Sequence, residues 1–234
     1  MLGKPLPLYK EVANKIKEDI VYSELSKGDM IPTEAKLAEE YQVSRVTVRR
    51  AIKLLGDENL LYSVQGSGTY IKNEKIEYDI LKLQSFTAEM LERNTDYFNE
   101  ILDFQLNDPS QNIQERLGLA NNEKIYFVKR LRYINDEPCI LEESHLPATL
   151  FPELSIDIMK NSLYDHINSK GLGINYRQAE LKPIMPRIDL IQHLRLEGNV
   201  PILLMEVHSA FKNDTIFEYT KIYFHPYKYS FKFK

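Results

Sequence analysis

Apolar positions at the start of the chain recur with the period of an α-helix. They are spaced four residues apart, at Leu8, Val12, Ile16 and Ile20. This spacing puts them on one face of a helix that can pack against a core. We expect this first helix to end before Gly28, which can adopt a left-handed cap or turn conformation.

Two shorter helical patterns follow, and each begins after a residue that favours a helix start. Thr33 precedes the pattern over residues 34–41, and Ser44 precedes the pattern over residues 45–58. A hydroxyl at this position accepts a hydrogen bond from a free backbone N–H of the first turn. Two short helices joined by a few residues predict a helix-turn-helix motif.

A hairpin pattern completes the first domain. Residues 60–71 consist of two β-rich pieces on either side of a turn that contains Gly66 and Gly68. Three helices followed by a hairpin predict a winged helix-turn-helix domain over residues 1–72. Residues 73–78 are polar and have no hydrophobic period, so we predict that they form a linker.

After the linker, the pattern changes to longer strands with helices between them. Strands are predicted over residues 123–134, 139–146, 203–211 and 216–224. Helices are predicted over residues 85–93, 110–119, 162–169 and 187–196. Long hairpins interspersed with helices are typical of an α+β fold with an antiparallel sheet, which we predict for residues 79–234.

Composition excludes several classes of protein. Cys139 is the single cysteine, so the chain cannot form an intramolecular disulfide, and this fits a reducing cytoplasm. The five histidines are scattered without zinc-ligand spacing, so we expect no metal site. We also expect no other cofactor, because the sequence shows no Gly-rich nucleotide-binding loop. We expect no membrane association, because the apolar runs are short, and no signal peptide, because the N-terminus lacks an apolar core segment.

The start of the third predicted helix carries a cluster of basic residues, although the net charge of the chain is -4. DNA-reading helices place their N-terminal turns in the major groove, where arginine can bond guanine O6 and N7. A solvated basic helix face is the simpler alternative, but the helix order, the cap, the basic face and the glycine-containing wing together favour DNA binding. The predicted contacts are Thr33, Ser44, Arg45, Thr47, Arg49 and Arg50 in the helices, and Gln65, Gly66, Ser67, Gly68 and Thr69 in the wing.

Residues 6–72 resemble the winged-helix domain of GntR-family regulators. The motifs IPTEAKLA, VSRVTVRRAIKLL and VQGSGTYI carry the resemblance. It implies that the family's DNA-contact positions are occupied by Arg45, Thr47, Arg49, Gln65 and Gly66. Many members have arginine directly after the Pro-Ser/Thr-Glu triplet, where this chain has Ala35, so we expect an altered base preference at that point.

Two arginines share one face of the first long strand in the second domain. Arg130 and Arg132 are two residues apart, and a three-residue turn would place Arg130 opposite Glu142. On spacing alone, an exposed cross-strand ion pair is the favoured interpretation. The alternative is a pocket in which the arginines bind a phosphate or carboxylate, while Glu142 accepts from a ligand hydroxyl or amine.

Residues 78–233 resemble the UTRA effector-binding domain of the HutC subfamily, through the motifs LQSFTAEM, KRLRYINDEPCILEESHLP, SLYDHI and IFEYTKIYFHPYKYSF. The resemblance implies a fold similar to that of chorismate lyase and a sensor of sugar or amino-sugar phosphates. The implied ligand contacts are Ser85, Phe86, Thr87, Arg130, Arg132, Glu142, Ser162 and Tyr164, with Glu218, Tyr223 and Tyr229 expected to line the pocket. Ser162 equally suits a helix N-cap, and Tyr164 equally suits the core.

The two resemblances together imply a transcription regulator, expected to be a homodimeric repressor in the cytoplasm. Its partners would be a pseudo-palindromic double-stranded DNA operator and a small anionic metabolite that changes operator affinity. One alternative is a chorismate-lyase-like enzyme fused to a DNA-binding head, but no catalytic constellation stands out, so we expect no enzyme. Another is an architectural DNA-binding protein with an inert dimerisation domain. The sequence leaves open the effector, the operator, and the choice between repression and activation.

Overall fold

The computed structural model describes residues 6–23, 25–58, 60–72, 76–79, 85–196 and 200–232. The chain divides into two compact units between Ile76 and Glu77. This point falls inside the predicted linker, of which residues 73–75 lie outside the described residues. Residues 76–78 of that predicted linker belong to a strand instead, which is a correction to the expected secondary structure.

The first unit contains three helices followed by a hairpin, as predicted. These elements are α1 (Leu8–Tyr22), α2 (Glu34–Glu40), α3 (Arg45–Asp57), β1 (Leu61–Val64) and β2 (Gly68–Ile71). The apolar faces of the three helices meet the hairpin in one core, which includes Val12, Ile16, Leu37, Val48, Leu55, Leu61 and Ile71. The winged helix-turn-helix architecture expected from the sequence is therefore present.

Both predicted N-caps of the first unit are formed. The Thr33 hydroxyl accepts from the backbone N–H of Lys36 at 3.4 Å, and the Ser44 hydroxyl accepts from that of Thr47 at 3.1 Å. Each bond satisfies one of the backbone donors that a helix start leaves without an intrahelical partner. The caps therefore fix where α2 and α3 begin, and so which residues occupy their first turns.

The second unit is an antiparallel sheet with helices on both faces. Its strands are β3 (Ile76–Asp79), β4 (Tyr97–Asn107), β5 (Ile125–Ile134), β6 (Glu137–Pro147), β7 (Ile174–Ile184), β8 (Ile202–Phe211), β9 (Ile216–Phe224) and β10 (Tyr229–Lys232). Its helices are α4 (Phe86–Glu92), α5 (Gln111–Leu117), α6 (Ile156–Lys160), α7 (Leu163–Ser169) and α8 (Ile188–His193). Six strands pair in the order β4-β5-β6-β9-β8-β7, and β3 pairs with β10. The predicted α+β class is confirmed.

Alternate residues of the central strands pack into two different cores, one on each face of the sheet. Val128 and Leu146 pack on one face with α6 and α7, through Met159 and Ile167. On the opposite face, α8 packs through its own apolar residues in a cluster that includes Leu131, Leu141, Leu190, Leu194 and Leu204. Because side chains alternate between faces, the even-numbered residues of β5 that follow Val128 point to the side of α6 and α7.

None of the helices in the described residues combines the length and the apolar character needed to cross a membrane.

Candidate DNA-binding surface and effector cavity

The predicted DNA contacts of the helices lie in the first two turns of α3 and at its cap, except for Thr33, which is exposed at the cap of α2. Arg45, Arg49 and Arg50 are exposed, whereas Val48, between them in sequence, is completely buried. The Ser44 hydroxyl, besides capping the helix, is 2.9 Å from the hydroxyl of Thr47. The helix therefore presents its guanidinium groups to the outside from a start that is held in place by its cap.

Arg49 differs from its two neighbours because it forms an ion pair with Glu34, the first residue of α2. The nearest nitrogen–oxygen distance in this pair is 2.8 Å. The hydrogen bond from Arg49 lowers the pKa of the Glu34 carboxyl below its ordinary value, so this carboxyl is ionised at neutral pH.

The wing exposes three of its five predicted DNA contacts in its turn, whereas Gly68 and Thr69 lie half-buried at the start of β2. Gln65, Gly66 and Ser67 are exposed, and Gly66 has a φ of 78°, in the left-handed region that glycine adopts without strain. The Ser67 hydroxyl lies 2.6 Å from that of Tyr70, and the Thr69 hydroxyl lies 2.9 Å from that of Ser63. The hydroxyls of Ser67 and Thr69 thus lie within hydrogen-bond distance of other residues of the hairpin, while Gln65 projects from the turn.

A cavity lies against the sheet face that also carries α6 and α7. Its volume is about 60 Å³. Most of the predicted effector residues line it, namely Ser85, Phe86, Thr87, Arg130, Arg132, Glu142, Ser162, Tyr164 and Glu218. They come from α4, β5, β6, α7 and β9, so the fold gathers residues that are far apart in the sequence.

Glu142 is bound by both arginines at the base of this cavity. Its Oε2 accepts from Nη2 of Arg130 at 2.6 Å, and its Oε1 accepts from Nε of Arg132 at 2.8 Å. The three residues are between 5% and 7% exposed, so the exposed ion pair favoured on spacing alone is wrong. Burial opposes ionisation of Glu142, but the charges and hydrogen bonds of Arg130 and Arg132 outweigh it and lower the pKa of this carboxyl to about 2.

The register that pairs Arg130 with Glu142 arises differently from the prediction. Asn135 and Asp136 form a two-residue turn, and both have positive φ angles. The register then shifts by one residue at Cys139, so that Arg132 pairs with Ile140 and Arg130 with Glu142. A two-residue turn followed by a bulge gives the same offset as the predicted three-residue turn.

Further contacts hold the two guanidinium groups in place. Nη1 of Arg130 donates to the backbone carbonyl of Met159 at 2.6 Å, and Nη1 of Arg132 donates to Oδ1 of Asn99 at 3.1 Å. The Arg132 guanidinium also lies 4.5 Å from the centre of the Phe86 ring. The arginines are therefore positioned by α6, β4 and α4 in addition to Glu142.

A third arginine, Arg177 on β7, lines the cavity and was missed by the sequence interpretation. Its Nη1 donates to the hydroxyl of Tyr78 at 2.6 Å, whereas its buried Nε has no hydrogen-bond partner among the residues that the structure describes. A buried donor without a partner is costly, and a ligand acceptor would relieve that cost. The period of two on β7 could have identified Arg177 only if β7 itself had been recognised as a strand.

Glu218 forms a second polar centre in the cavity. Its Oε2 accepts from the hydroxyls of Tyr164 and Ser209, both at 2.8 Å, and its Oε1 accepts from that of Thr220 at 2.9 Å. Unlike Glu142, it is held by hydroxyl groups. Tyr164 and Ser162 thus have structural roles as well, because Ser162 caps α7 through the backbone N–H of Asp165.

Tyr223 and Tyr229 do not line the cavity, contrary to expectation. Tyr223 lies on the opposite face of β9 from Glu218, where its hydroxyl donates to Glu143 at 3.0 Å. Tyr229 is buried with its ring 5.1 Å from that of Phe224. The odd separation between Glu218 and Tyr223 places them on opposite faces, so the strand period alone could have excluded Tyr223.

Comparison with known proteins decides which family these two units represent. The family described as bacterial regulatory proteins, gntR family, matches residues 8–71, and the UTRA domain matches residues 92–230. The Mannosyl-D-glycerate transport/metabolism system repressor MngR of Escherichia coli K12 is 37% identical over 226 residues, which cover 96% of this chain and 94% of MngR. The chain belongs to the gntR family of bacterial transcription regulators.

Other relatives agree with this assignment. The regulator is 32% identical to the HTH-type transcriptional repressor NagR of Bacillus subtilis over 97% of this chain and 94% of NagR. Its fold matches that of PhnF from Mycobacterium smegmatis with a TM-score of 0.67, at 20% identity over 94% of this chain and 98% of PhnF. The regulator is thus a DNA-binding protein with an effector-binding domain, and the enzyme alternative is set aside.

Proposed function

We propose that this regulator is a repressor whose operator affinity is lowered by a small anionic metabolite, a sugar or amino sugar that carries a phosphate. The observation that carries the proposal is the charge of the cavity, where three arginines face two carboxylates. Arginine forks bind phosphate and carboxylate oxygens, and the carboxylates and hydroxyls of the cavity suit the hydroxyls of a sugar.

The arginine–glutamate contacts suggest how an anion would be recognised. Glu142 already occupies Arg130 and Arg132, so a ligand anion would share these guanidinium groups with it. The carboxylate oxygens of Glu142 that are released from the arginines would then accept hydrogen bonds from ligand hydroxyls. Arg177 would supply the third guanidinium, since its buried Nε lacks an acceptor within the described part of the chain.

The small volume of the cavity supports the proposal that binding is coupled to a change in conformation. A volume of about 60 Å³ holds only a few water molecules. In this proposal, a bound sugar phosphate separates the lining residues, including those on α4 and α7. A ligand that binds the widened arrangement more tightly shifts the population toward that arrangement. Operator affinity can change only to the extent that the ligand binds the two arrangements with different affinities.

The location, subfamily, oligomeric state and operator symmetry of the regulator are part of the same proposal. We place the regulator in the cytoplasm, where the chromosome of a bacterium lies, and assign it to the HutC subfamily. A homodimer would bind a pseudo-palindromic operator, because two-fold symmetry of the protein is mirrored in the two half-sites. The predicted residues of α3 and the wing would contact the operator, with an altered base preference where Ala35 replaces the arginine of many members.

Thermal unfolding of the full chain with a panel of anions tests the ligand class. The panel contains glucose 6-phosphate, glucosamine 6-phosphate, mannose 6-phosphate and mannosyl-D-glycerate, with inorganic phosphate and the free sugars as controls. The similarity to MngR is the reason for including mannosyl-D-glycerate, whose anion is a carboxylate. A specific ligand at about 100 times its Kd stabilises the fold by about 2.7 kcal/mol.

The expected result is stabilisation by a phosphorylated sugar that neither the free sugar nor inorganic phosphate reproduces. Stabilisation by mannosyl-D-glycerate alone would show that the ligand anion is a carboxylate and that the proposed phosphate is wrong. An equal response to every member of the panel, or none at all, would contradict it and favour a second unit that serves only in dimerisation.

A further inference from the structure

The first residue of α2 holds an arginine of the recognition helix. Glu34 follows the N-cap Thr33, so its position is set by the start of α2. Arg49 lies one turn after Arg45 on α3. The pair therefore joins the two helices of the helix-turn-helix motif at the surface that carries the predicted DNA contacts.

The geometry of the pair leaves one edge of the Arg49 guanidinium available. Nε donates to Oε1 and Oε2 of Glu34 at 3.1 and 3.2 Å, and Nη2 donates to Oε2 at 2.8 Å. An arginine has five N–H groups, of which these contacts use the Nε–H and one N–H of Nη2. The outer edge, formed by Nη1 and the second N–H of Nη2, remains a two-donor fork.

Folding stability does not explain this pair. The side chain of Arg49 is 68% exposed and that of Glu34 is 34% exposed. Ion pairs at such positions contribute little to stability, because the gain in water is small and two side chains lose rotational freedom. For DNA binding the loss of freedom is useful, since an arginine that is already held in one orientation loses less entropy when it meets its target.

We propose that Glu34 is a specificity-determining positioning residue that holds Arg49 so that its outer edge reads a guanine in the major groove. The proposal rests on the proposed role of Arg49 as a DNA contact. A fork of two N–H donors matches O6 and N7 of guanine, and a fixed direction restricts the fork to one base pair. A phosphate contact has no such need, because phosphates accept from many directions and do not distinguish sequences.

The sign of one substitution separates this role from simple electrostatics. Glu34 puts a negative charge beside the DNA surface, where it repels phosphates. If Glu34 did nothing else, Glu34→Gln would strengthen DNA binding. If Glu34 positions Arg49, the same substitution weakens binding to the correct sequence and reduces the preference for guanine at one position.

The experiment measures the Kd of the full-length protein for a duplex that it selects from a random library, at fixed salt. Every single-base-pair variant of the duplex is measured with wild type, Glu34→Gln, Arg49→Ala and the double variant. We expect Arg49→Ala to weaken binding about fivefold or more and to abolish discrimination at one base pair. We expect Glu34→Gln to weaken binding on the order of threefold to tenfold, with discrimination reduced at the same base pair and no further loss in the Arg49→Ala background.

Glu39→Gln is the matched control, because it removes a carboxylate from the exposed side of the same helix. It should leave the base preference unchanged. Tighter binding by Glu34→Gln, or an equal loss on every duplex, would overturn the positioning role while leaving Arg49 a DNA contact. Wild-type binding by Arg49→Ala would instead show that the DNA surface itself is wrongly assigned at this residue.

Discussion

At the scale of single residues, Glu142 decides whether two buried arginines are stabilising or costly. With its carboxylate, each guanidinium has a charged acceptor in the core of the second unit. Without it, Arg130 and Arg132 would face each other's charge in a region from which water is largely excluded. Removing one member of a buried ion pair costs about 3–5 kcal/mol, far more than an exposed pair is worth.

We therefore predict that Glu142→Gln lowers the free energy of unfolding of the second unit by about 3 kcal/mol or more at pH 7. Differential scanning calorimetry of the full chain measures this change. The isosteric Glu→Gln substitution keeps the shape, so lost packing contributes little. A loss below about 1 kcal/mol would show that the pair behaves like an exposed one, contrary to its burial.

The same substitution has a defined dependence on pH. The pKa of Glu142 is about 2 in the folded chain, against the ordinary value of 4.5 that applies to the unfolded chain. A group with a lowered folded pKa stabilises the fold fully above 4.5 and loses this contribution as the pH falls toward 2. The difference in stability between wild type and Glu142→Gln should therefore narrow across this range, and a difference that stays constant would contradict the assignment.

Arg177 gives a test of ligand binding that leaves the DNA surface untouched. We predict that Arg177→Met abolishes the stabilisation by a phosphorylated sugar while binding of the selected DNA duplex remains. Arg187→Ala is the matched control, since Arg187 pairs with Glu143 on the opposite sheet face. Thermal unfolding with the sugar-phosphate panel measures both variants, and undiminished stabilisation in Arg177→Met would remove this residue from the site.

Some residues of the cavity could be predicted from the sequence and others could not. Arg130, Arg132 and Glu142 follow from the period of two along two recognisable strands. Arg177 does not, because the alternation between apolar and polar residues in its strand changes phase at Gln178, where two polar residues follow one another. The burial of Glu142 cannot be predicted from the pairing of two strands alone. It depends on α4, α6 and α7, which cover the sheet and come from distant parts of the chain.

At the scale of elements, the start of α3 combines a structural and a functional role in Ser44. Its hydroxyl caps the helix, and its position is also a predicted DNA contact. Ser44→Ala should lower the stability of the first unit by about 1 kcal/mol, because the cap is lost. Ser44→Asp should retain stability, since aspartate is an equally good cap, but should weaken DNA binding by repelling phosphates.

Chemical denaturation and duplex affinity, measured on both Ser44 variants, separate the two roles. We expect Ser44→Asp to lose more affinity for the duplex than Ser44→Ala, and Ser44→Ala to lose more folding stability than Ser44→Asp. Equal stability of Ser44→Ala and wild type would show that the cap contributes nothing. Unchanged affinity of Ser44→Asp would place Ser44 away from the DNA.

Central elements were predictable, whereas edge elements were not. β5, β6, β8 and β9 have apolar residues facing a core on both sides, so their patterns are strong. β4 and β7 lie at the two edges of the six-stranded sheet and keep many exposed positions, and a bulge between Ile101 and Asp103 interrupts the alternation of β4. The sequence patterns of these two edge strands are therefore less regular than those of the central strands.

At the scale of the whole molecule, the two units carry separable functions that must communicate. The first unit supplies the winged helix-turn-helix, and the second supplies the cavity with its charged residues. In the first unit, local patterns were enough to predict the architecture, since its helices and hairpin are consecutive in sequence. In the second, the sheet pairs residues as far apart in sequence as Ile140 and Phe224, and family resemblance was needed to recognise the site.

The central claim is that a metabolite in the cavity changes affinity for the operator. Linkage requires that this coupling act equally in both directions. The decisive measurement titrates the full chain with the panel member that stabilises it most, in the presence and absence of the selected duplex. We expect the metabolite to weaken duplex binding, and the duplex to weaken metabolite binding by the same factor, with both effects lost in Arg177→Met. Equal metabolite affinity with and without the duplex would show that the cavity and the DNA-binding surface are not coupled.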